Sequence, residues 1–162
     1  MSGFPLPDAT PAGRHNLSQP PMNQDGLTLG PDRPDSFLAA GILVVERDNA
    51  SAAILLRFLK SAGYRNAVSV VGSDAVIDFL YELNIDLLVI DSDLLISLDG
   101  TDVLDQIRRS HVHRHLPVIV LAADPDRALR LRVLGQGAND ILGKPVDAEE
   151  MSLRIQNQLA AK

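Results

Sequence analysis

Charged side chains follow directly after several short apolar runs of this 162-residue sequence. Glu46 follows one such run, Asp91 ends another, and Lys144 stands two residues after a third. Carboxylates can hold a hard cation such as Mg²⁺, which prefers oxygen ligands. A cation and a lysine can neutralise the charge on a phosphoryl group that is transferred to an aspartate. The residue types therefore favour phosphoryl chemistry on a carboxylate.

The chemistry requires elements that bring these side chains together. The short, mainly apolar runs predict buried strands at 42–45, 68–71, 87–90, 117–121 and 141–142. The amphipathic stretches between them predict helices at 49–62, 75–83, 101–109, 125–136 and from 147 onward. Strict alternation of five strands and five helices predicts a three-layer, doubly wound α/β fold with a parallel sheet. In such a sheet the functional crevice lies at the carboxyl ends of the strands.

Several residues mark the expected helix ends. Ser73 is predicted to cap the second helix, and Asp147 opens a capping-box-like start for the last one. Pro125 is predicted to lie in the first turn of the fourth helix. Gly63 and Gly137 are expected to stop the first and fourth helices.

Residues 1–37 differ in composition from the remainder of the chain. This stretch holds seven of the ten prolines, interleaved with small and polar residues. Such a composition buries too little apolar surface to offset its ordering entropy. We therefore expect a disordered N-terminal tail at 1–37 and one folded domain at 38–162.

Charge and composition exclude several classes of function. A net charge of −6 and a sequence pI near 5.0 argue against nucleic acid or an anionic membrane as partner. The absence of cysteine excludes disulfides, thiolate metal sites and cysteine nucleophiles. With no visible signal peptide, and no apolar run long enough to span a bilayer, a cytoplasmic location is expected.

Four segments of the sequence resemble the response-regulator receiver family of bacterial two-component signalling, the CheY-like domains. The resemblance covers roughly residues 41–160 and implies a flavodoxin-like sheet of strand order 2-1-3-4-5. It also implies that the protein acts in a phosphorelay and catalyses at most its own phosphorylation and dephosphorylation. Because the sequence ends after the last predicted helix, we expect a stand-alone receiver. The segments that carry the resemblance are 42–46, 86–91, 116–123 and 137–145.

The resemblance assigns roles by position. Asp91 would be the phosphoacceptor, and Lys144 would contact the phosphoryl group with a cis bond before Pro145. Glu46 and Asp91 would contribute to a Mg²⁺ pocket. The expected partner is a sensor histidine kinase, a phosphotransfer protein or another signalling protein.

One departure from the family affects the expected metal. Arg47 stands where the family has a metal-binding aspartate, which puts Mg²⁺ binding in question. In one interpretation Arg47 swings outward and Asp48 partly substitutes as a ligand. In the other, Arg47 pairs with Asp91 and blocks the place of the metal. Asp93 would lie at the rim of the site.

Two further departures, together with Arg47, favour an alternative function. Ala122 replaces the family's hydroxyl residue and Ile141 replaces its aromatic residue, so the usual relay from phosphate to surface is missing. The alternative is a pseudo-receiver, a binding module that works without phosphorylation. A more remote alternative is a haloacid dehalogenase-like phosphatase that uses the Asp-x-Asp pair of Asp91 and Asp93, although a neighbouring hydroxyl is missing.

The fourth predicted helix carries a row of arginines. In receivers this helix borders the surface that docks on partners, so these arginines are candidate contacts. The alternating histidines 111, 113 and 115 are interpreted as a polar loop, because a zinc site needs further ligands. The candidate arginines are Arg127, Arg130 and Arg132.

Overall fold

The structure is a computed structural model that describes residues 35–98 and 100–161. The tail predicted at 1–37 lies outside the described residues except for its last three, which belong to the short helix α1. Five strands are present: β1 Gly41–Glu46, β2 Asn66–Val71, β3 Leu87–Asp91, β4 Val118–Ala122 and β5 Asp140–Gly143. The helices are α1 Asp35–Leu38, α2 Asn49–Ser61, α3 Val76–Glu82, α4 Val103–Arg109, α5 Arg127–Gly135 and α6 Ala148–Ala160, with a 3₁₀ turn at Ser92–Leu94.

The five strands form one parallel sheet in the order β2-β1-β3-β4-β5. This confirms the predicted fold class and strand order. Parallel pairing requires each connection to cross the sheet, so helices cover both of its faces. The three central strands are consequently buried on both sides and read as unbroken apolar runs.

Successive residues of each strand point to opposite faces of the sheet and enter two separate apolar clusters. Ile42 and Val44 pack with α2 and α6, whereas Leu43 and Val45 pack with α3, α4 and α5. The result is the predicted three-layer arrangement. Within the described residues no helix combines the length and apolarity needed to cross a membrane.

The helix ends follow local hydrogen bonding. α2 stops before Gly63, whose φ of 97° suits a residue without a side chain, and Gly137 has the same role after α5. Asp147 caps α6 by accepting a hydrogen bond from the Glu150 amide at 2.8 Å. These predicted ends are therefore confirmed.

Three predicted helix starts are wrong. α4 begins at Val103 rather than at Thr101, because Asp102 caps the helix through the Asp105 amide at 3.1 Å. α5 begins at Arg127 rather than at Pro125, because Asp126 caps the helix through the Leu129 amide at 2.8 Å. Ser73 is buried, and α3 begins at Val76 without a side-chain cap from any described residue. The Ser73 backbone carbonyl, rather than its hydroxyl, accepts the Val76 amide.

Candidate functional site

A cleft of about 280 Å³ opens at the carboxyl ends of β1, β3, β4 and β5. Its position is the one expected from a parallel sheet, since the loops after neighbouring strands diverge at this edge. The sequence already pointed to these strand ends, and the structure brings most of them together. The lining residues are Glu46, Arg47, Asp48, Ser51, Asp91, Ser92, Asp93, Ala122, Ala123, Asp124, Leu129 and Lys144.

Asp91, Glu46 and Lys144 form the buried base of the cleft. Asp91 is 4% exposed and Glu46 1% exposed, and both carboxylates contact the Lys144 ammonium. Lys144 Nζ lies 2.9 Å from Glu46 Oε1 and 3.2 Å from Oε2, and it also donates to Asp91 Oδ2. The peptide bond between Lys144 and Pro145 is cis, as the resemblance implies.

The protonation of Lys144 is controlled by two opposing effects. Burial lowers its pKa, but the hydrogen bonds to Asp91 and Glu46 and the charges of these carboxylates more than compensate. The net result is a raised pKa, so the side chain is an ammonium ion at neutral pH. The base of the cleft therefore holds two carboxylates on one cation.

The second oxygen of Asp91 is bonded by the loop that follows β3. Asp91 Oδ1 accepts a hydrogen bond from the Asp93 amide at 2.8 Å, which caps the 3₁₀ turn Ser92–Leu94. Asp91 is thus oriented from both sides, by an amide at Oδ1 and an ammonium at Oδ2.

Arg47 pairs with Asp93 rather than with Asp91. The distance from Arg47 Nη1 to Asp93 Oδ2 is 2.6 Å, and the two side chains are 58% and 63% exposed. The interpretation in which Arg47 pairs with Asp91 is therefore wrong, and Asp91 is bonded to Lys144 instead. The Asp93 hydrogen bond and charge, followed by the Asp91 charge, raise the pKa of Arg47.

Asp48 is the N-cap of α2. Its Oδ1 accepts the Ser51 amide at 2.8 Å and its Oδ2 accepts the Ser51 hydroxyl at 3.1 Å. These hydrogen bonds lower the pKa of Asp48. The carboxylate is therefore used to begin a helix, and the ligand role suggested for it has no support in this geometry.

The cleft offers two buried carboxylates as oxygen donors for Mg²⁺, and a guanidinium stands at the position where the family has a metal-binding aspartate. The two buried carboxylates, Glu46 and Asp91, are both in contact with Lys144, and the Arg47 guanidinium stands at the rim. Across residues 35–98 and 100–161, no group of three or more His, Asp or Glu side chains could hold a metal ion. A divalent cation bound by Glu46 and Asp91 would lie near the positive charges of Lys144 and Arg47.

The two altered positions lie where the sequence placed them. Ala122 ends β4, lines the cleft and is buried, so a methyl group stands where the family has a hydroxyl. Ile141 lies in β5 and packs in the apolar cluster that also contains Ala122. The phosphatase alternative also needs a hydroxyl at this strand end, and Ala122 and Ala123 cannot supply one.

The arginines of α5 are all exposed, as a contact surface requires. Leu131 and Leu134 on the same helix are also exposed, at 55% and 44%, so the face combines charge with apolar area. His113 packs edge-on against Tyr81 with 5.0 Å between ring centroids, which agrees with the interpretation of the histidines as a structural loop. The exposed arginines are Arg127, Arg130 and Arg132.

Asp124 and Ser51 also line the cleft, and neither was predicted as a site residue. Asp124 follows the end of β4 by two residues, a position that strand-end reasoning does identify. Ser51 could not be found in this way, because it lies in the first turn of α2 rather than directly after a strand.

Known proteins share this architecture. The receiver domain of sensor histidine kinase PA1611 from Pseudomonas aeruginosa PAO1, solved with magnesium in its active-site cleft, has a TM-score of 0.66 and 27% identity. The match covers 75% of this chain and 98% of that one. A response regulator receiver domain protein from Clostridium thermocellum has a TM-score of 0.64 and 25% identity, over 75% of this chain and 95% of the other.

Sequence comparison gives the same result. Sensor histidine kinase TmoS from Ectopseudomonas mendocina is 30% identical over 121 residues, which is 75% of this chain but 12% of TmoS. The chain thus spans about an eighth of that relative's length. The family model described as response regulator receiver domain matches residues 42–156. The fold, the family model and the relatives agree, and the chain belongs to the family of response regulator receiver domains involved in two-component signalling.

Proposed function

We propose that this receiver domain accepts a phosphoryl group on Asp91 from a sensor histidine kinase or a phosphotransfer protein. The observation that carries the proposal is the contact of the Lys144 ammonium with the Asp91 carboxylate at the base of an open cleft. The relatives that are receiver domains of sensor histidine kinases support this class of partner.

The chemistry needs little from the protein beyond position and charge. A carboxylate oxygen of Asp91 attacks phosphorus, and the bond from phosphorus to the donor breaks with its electron pair leaving on the donor. Lys144 offsets the charge of the incoming phosphoryl oxygens, and the Asp93 amide keeps the acceptor oriented.

The direct test is the intact mass of the purified chain after incubation with acetyl phosphate and Mg²⁺. We expect the mass of one phosphoryl group to be added to the wild type and not to Asp91→Asn. Asp124→Asn is the matched control, because it removes another carboxylate of the same cleft. Equal uptake by wild type and Asp91→Asn, or no uptake at all, would contradict the proposal.

A pseudo-receiver is the second candidate, and Ala122 and Ile141 favour it. A buried methyl and a packed isoleucine leave no hydroxyl to follow the phosphoryl group and no aromatic ring to move with that hydroxyl. A pseudo-receiver would bind its partner through the α5 surface whether or not Asp91 is phosphorylated. Amide NMR spectra before and after acetyl phosphate distinguish the two. Shift changes confined to the cleft favour the pseudo-receiver, and changes that reach α5 favour a switch.

A further inference from the structure

Arg47 brings a second cation into the cleft, beside the acceptor aspartate. It directly follows Glu46, the last residue of β1, and it lies at the rim with its guanidinium 2.6 Å from Asp93 Oδ2. The amide of the same Asp93 donates to Asp91 Oδ1 at 2.8 Å. Asp93 therefore connects Arg47 to the acceptor through one residue.

Most of the charged side chains named in the cleft are already in ion pairs with one another. Lys144 is shared by Glu46 and Asp91, and Arg47 is bonded to Asp93. A divalent cation at Asp91 would lie close to the Lys144 ammonium and the Arg47 guanidinium, which both repel it. A phosphoryl group, in contrast, brings negative oxygens to a place that two cations already face.

We infer that Arg47 takes the place of the divalent cation, so that Arg47 and Lys144 together bind the phosphoryl group and transfer to Asp91 proceeds without metal. This inference rests on the proposed function of Asp91. Guanidinium groups bind phosphate oxygens through two parallel hydrogen bonds, which gives orientation as well as charge.

The transfer balances without a metal or another reactant. With acetyl phosphate, an Asp91 oxygen forms a bond to phosphorus while the bond from phosphorus to the bridging oxygen breaks. The electron pair leaves with acetate, which needs no proton. The charge is −3 on both sides, as carboxylate plus dianionic donor becomes acyl phosphate dianion plus acetate.

Asp93 acts as the exchangeable counter-ion of Arg47. Both side chains are more than half exposed, and ion pairs in water are weak enough to be displaced by a more highly charged anion. A dianionic phosphoryl group would therefore take Arg47 from Asp93. It follows that Asp93→Asn, which releases Arg47 in advance and removes a repelling charge, should accelerate the transfer.

The experiment follows intact mass against time for the full chain with acetyl phosphate, once in EDTA and once in Mg²⁺. We expect the wild type to be modified at similar rates in both. Arg47→Gln should slow the reaction roughly tenfold, as expected for the loss of one charged donor to the phosphoryl group. Asp93→Asn should be faster than wild type. Arg109→Gln is the matched control, because Arg109 is an exposed arginine paired with an aspartate outside the cleft.

A Mg²⁺ titration followed by amide NMR gives a readout that does not depend on phosphorylation. We expect no saturable shifts in the wild-type cleft, and saturable shifts in Arg47→Asp, where a carboxylate replaces the guanidinium. Saturable binding by the wild type would overturn the inference.

The outcomes separate the two proposals. Modification of the wild type only in Mg²⁺, or an Arg47→Gln rate equal to wild type in EDTA, would overturn the role of Arg47 and leave Asp91 as the acceptor. Failure of modification in both buffers would overturn the proposed function and this inference with it.

Discussion

Lys144 is the residue on which the buried charge of the cleft depends. It is the partner of two carboxylates that are almost fully buried, and the net charge of the three groups is negative. Burying a carboxylate without a partner is costly, whereas a hydrogen-bonded cation largely offsets that cost. Lys144 should therefore contribute to stability as well as to chemistry.

Replacing Lys144 with glutamine tests this double role. We expect Lys144→Gln to lower the free energy of unfolding by about 3 kcal/mol, the usual result of removing one partner of a buried ion pair. Urea unfolding at pH 7 measures the change. Lys60→Gln, at an exposed lysine of α2, is the control and should remain close to wild type. A loss as small as that of the control would show that Glu46 and Asp91 do not need the ammonium.

The raised pKa of Lys144 also predicts a pH dependence. Because the folded state holds this proton more tightly than the unfolded state, the stabilisation is complete below the ordinary lysine value of 10.5. It is lost as the pH rises through the raised value. The stability difference between wild type and Lys144→Gln should be constant from pH 7 to about 10 and decrease above that. If the stability difference between wild type and Lys144→Gln grew above pH 10, the raised pKa of Lys144 would be contradicted.

Individual site residues differ in how far the sequence could predict them. Asp91, Glu46 and Lys144 were predictable because parallel strands must bring their carboxyl ends to one edge. The partner of Arg47 was not, since a long exposed side chain selects among several nearby carboxylates by small differences in solvation and charge. The sequence therefore suggested Asp91, whereas the structure has Asp93.

At the scale of elements, the acidic residues before helices serve mainly to begin them. In four helices an aspartate accepts the backbone amide of the residue three positions later, which satisfies one of the free donors of the first turn. An acid directly after a strand can be a cap or a metal ligand, and the sequence does not distinguish the two. The four pairs are Asp48 with Ser51, Asp102 with Asp105, Asp126 with Leu129, and Asp147 with Glu150.

Two substitutions of Asp48 separate capping from metal binding. Asn keeps an oxygen that can accept the Ser51 amide, so Asp48→Asn should retain the thermal midpoint of wild type, and Asp48→Ala should lower it. Neither variant should change phosphoryl uptake from acetyl phosphate. Strong loss of uptake in the asparagine variant, measured by intact mass, would instead identify Asp48 as a ligand.

Element boundaries were less predictable than the elements themselves. Every predicted strand and helix is present, because apolar periodicity reflects burial over many residues. The starts of α3, α4 and α5 were misplaced by one or two residues. In α4 and α5 an aspartate just inside the predicted start caps the helix, whereas α3 has no side-chain cap from the described residues. Asp126 caps α5 by accepting a hydrogen bond from the Leu129 amide, so the helix begins after Asp126 and not at Pro125. Ser73 is buried, and its side chain does not cap α3.

At the scale of the whole molecule, the two edges of the sheet have different tasks. The carboxyl edge carries the charges of the cleft, and the amino edge is held by hydrogen bonds to backbone groups. Arg108 donates to the carbonyls of Leu116 and Gly137, which precede β4 and β5, at 2.6–2.9 Å. It also donates to the Asn139 side chain, which in turn accepts the Val118 amide.

The same substitution at Arg108 and at its neighbour Arg109 tests whether the Arg108 hydrogen bonds stabilise the amino edge. Arg108→Lys should lower the free energy of unfolding by about 2 kcal/mol, because an ammonium cannot reproduce the planar fork that reaches these acceptors. Arg109→Lys should have almost no effect, since Arg109 is exposed and its ion pair is with Asp105 of the same helix. Equal free energies of unfolding for the two variants in urea would contradict a structural role for the Arg108 hydrogen bonds.

Gly41, the first residue of β1, allows a second test of the amino edge of the sheet. A Cβ at Gly41 would lie 2.0 Å from the Asn84 carbonyl oxygen, and Gly41 is bonded to Asp86 through its amide at 2.8 Å and its carbonyl at 2.7 Å. The loop before β3 cannot retreat without losing these bonds, so Gly41→Ala should cost about 3 kcal/mol. Gly135→Ala is the control, because nothing lies within 4 Å of its Cβ position, and helix propensity should make it neutral or slightly stabilising.

A substitution at the amino edge of the sheet should affect the cleft at the carboxyl edge only by lowering the overall stability of the domain. The folded fraction of Gly41→Ala should therefore take up phosphoryl groups from acetyl phosphate at the wild-type rate, because Asp91 and Lys144 lie at the opposite end of their strands. Intact mass measured in parallel with circular dichroism gives the rate per folded molecule. A slower rate per folded molecule would show that a strain at the amino edge travels along β1 to the cleft, since Glu46 ends the strand that Gly41 begins.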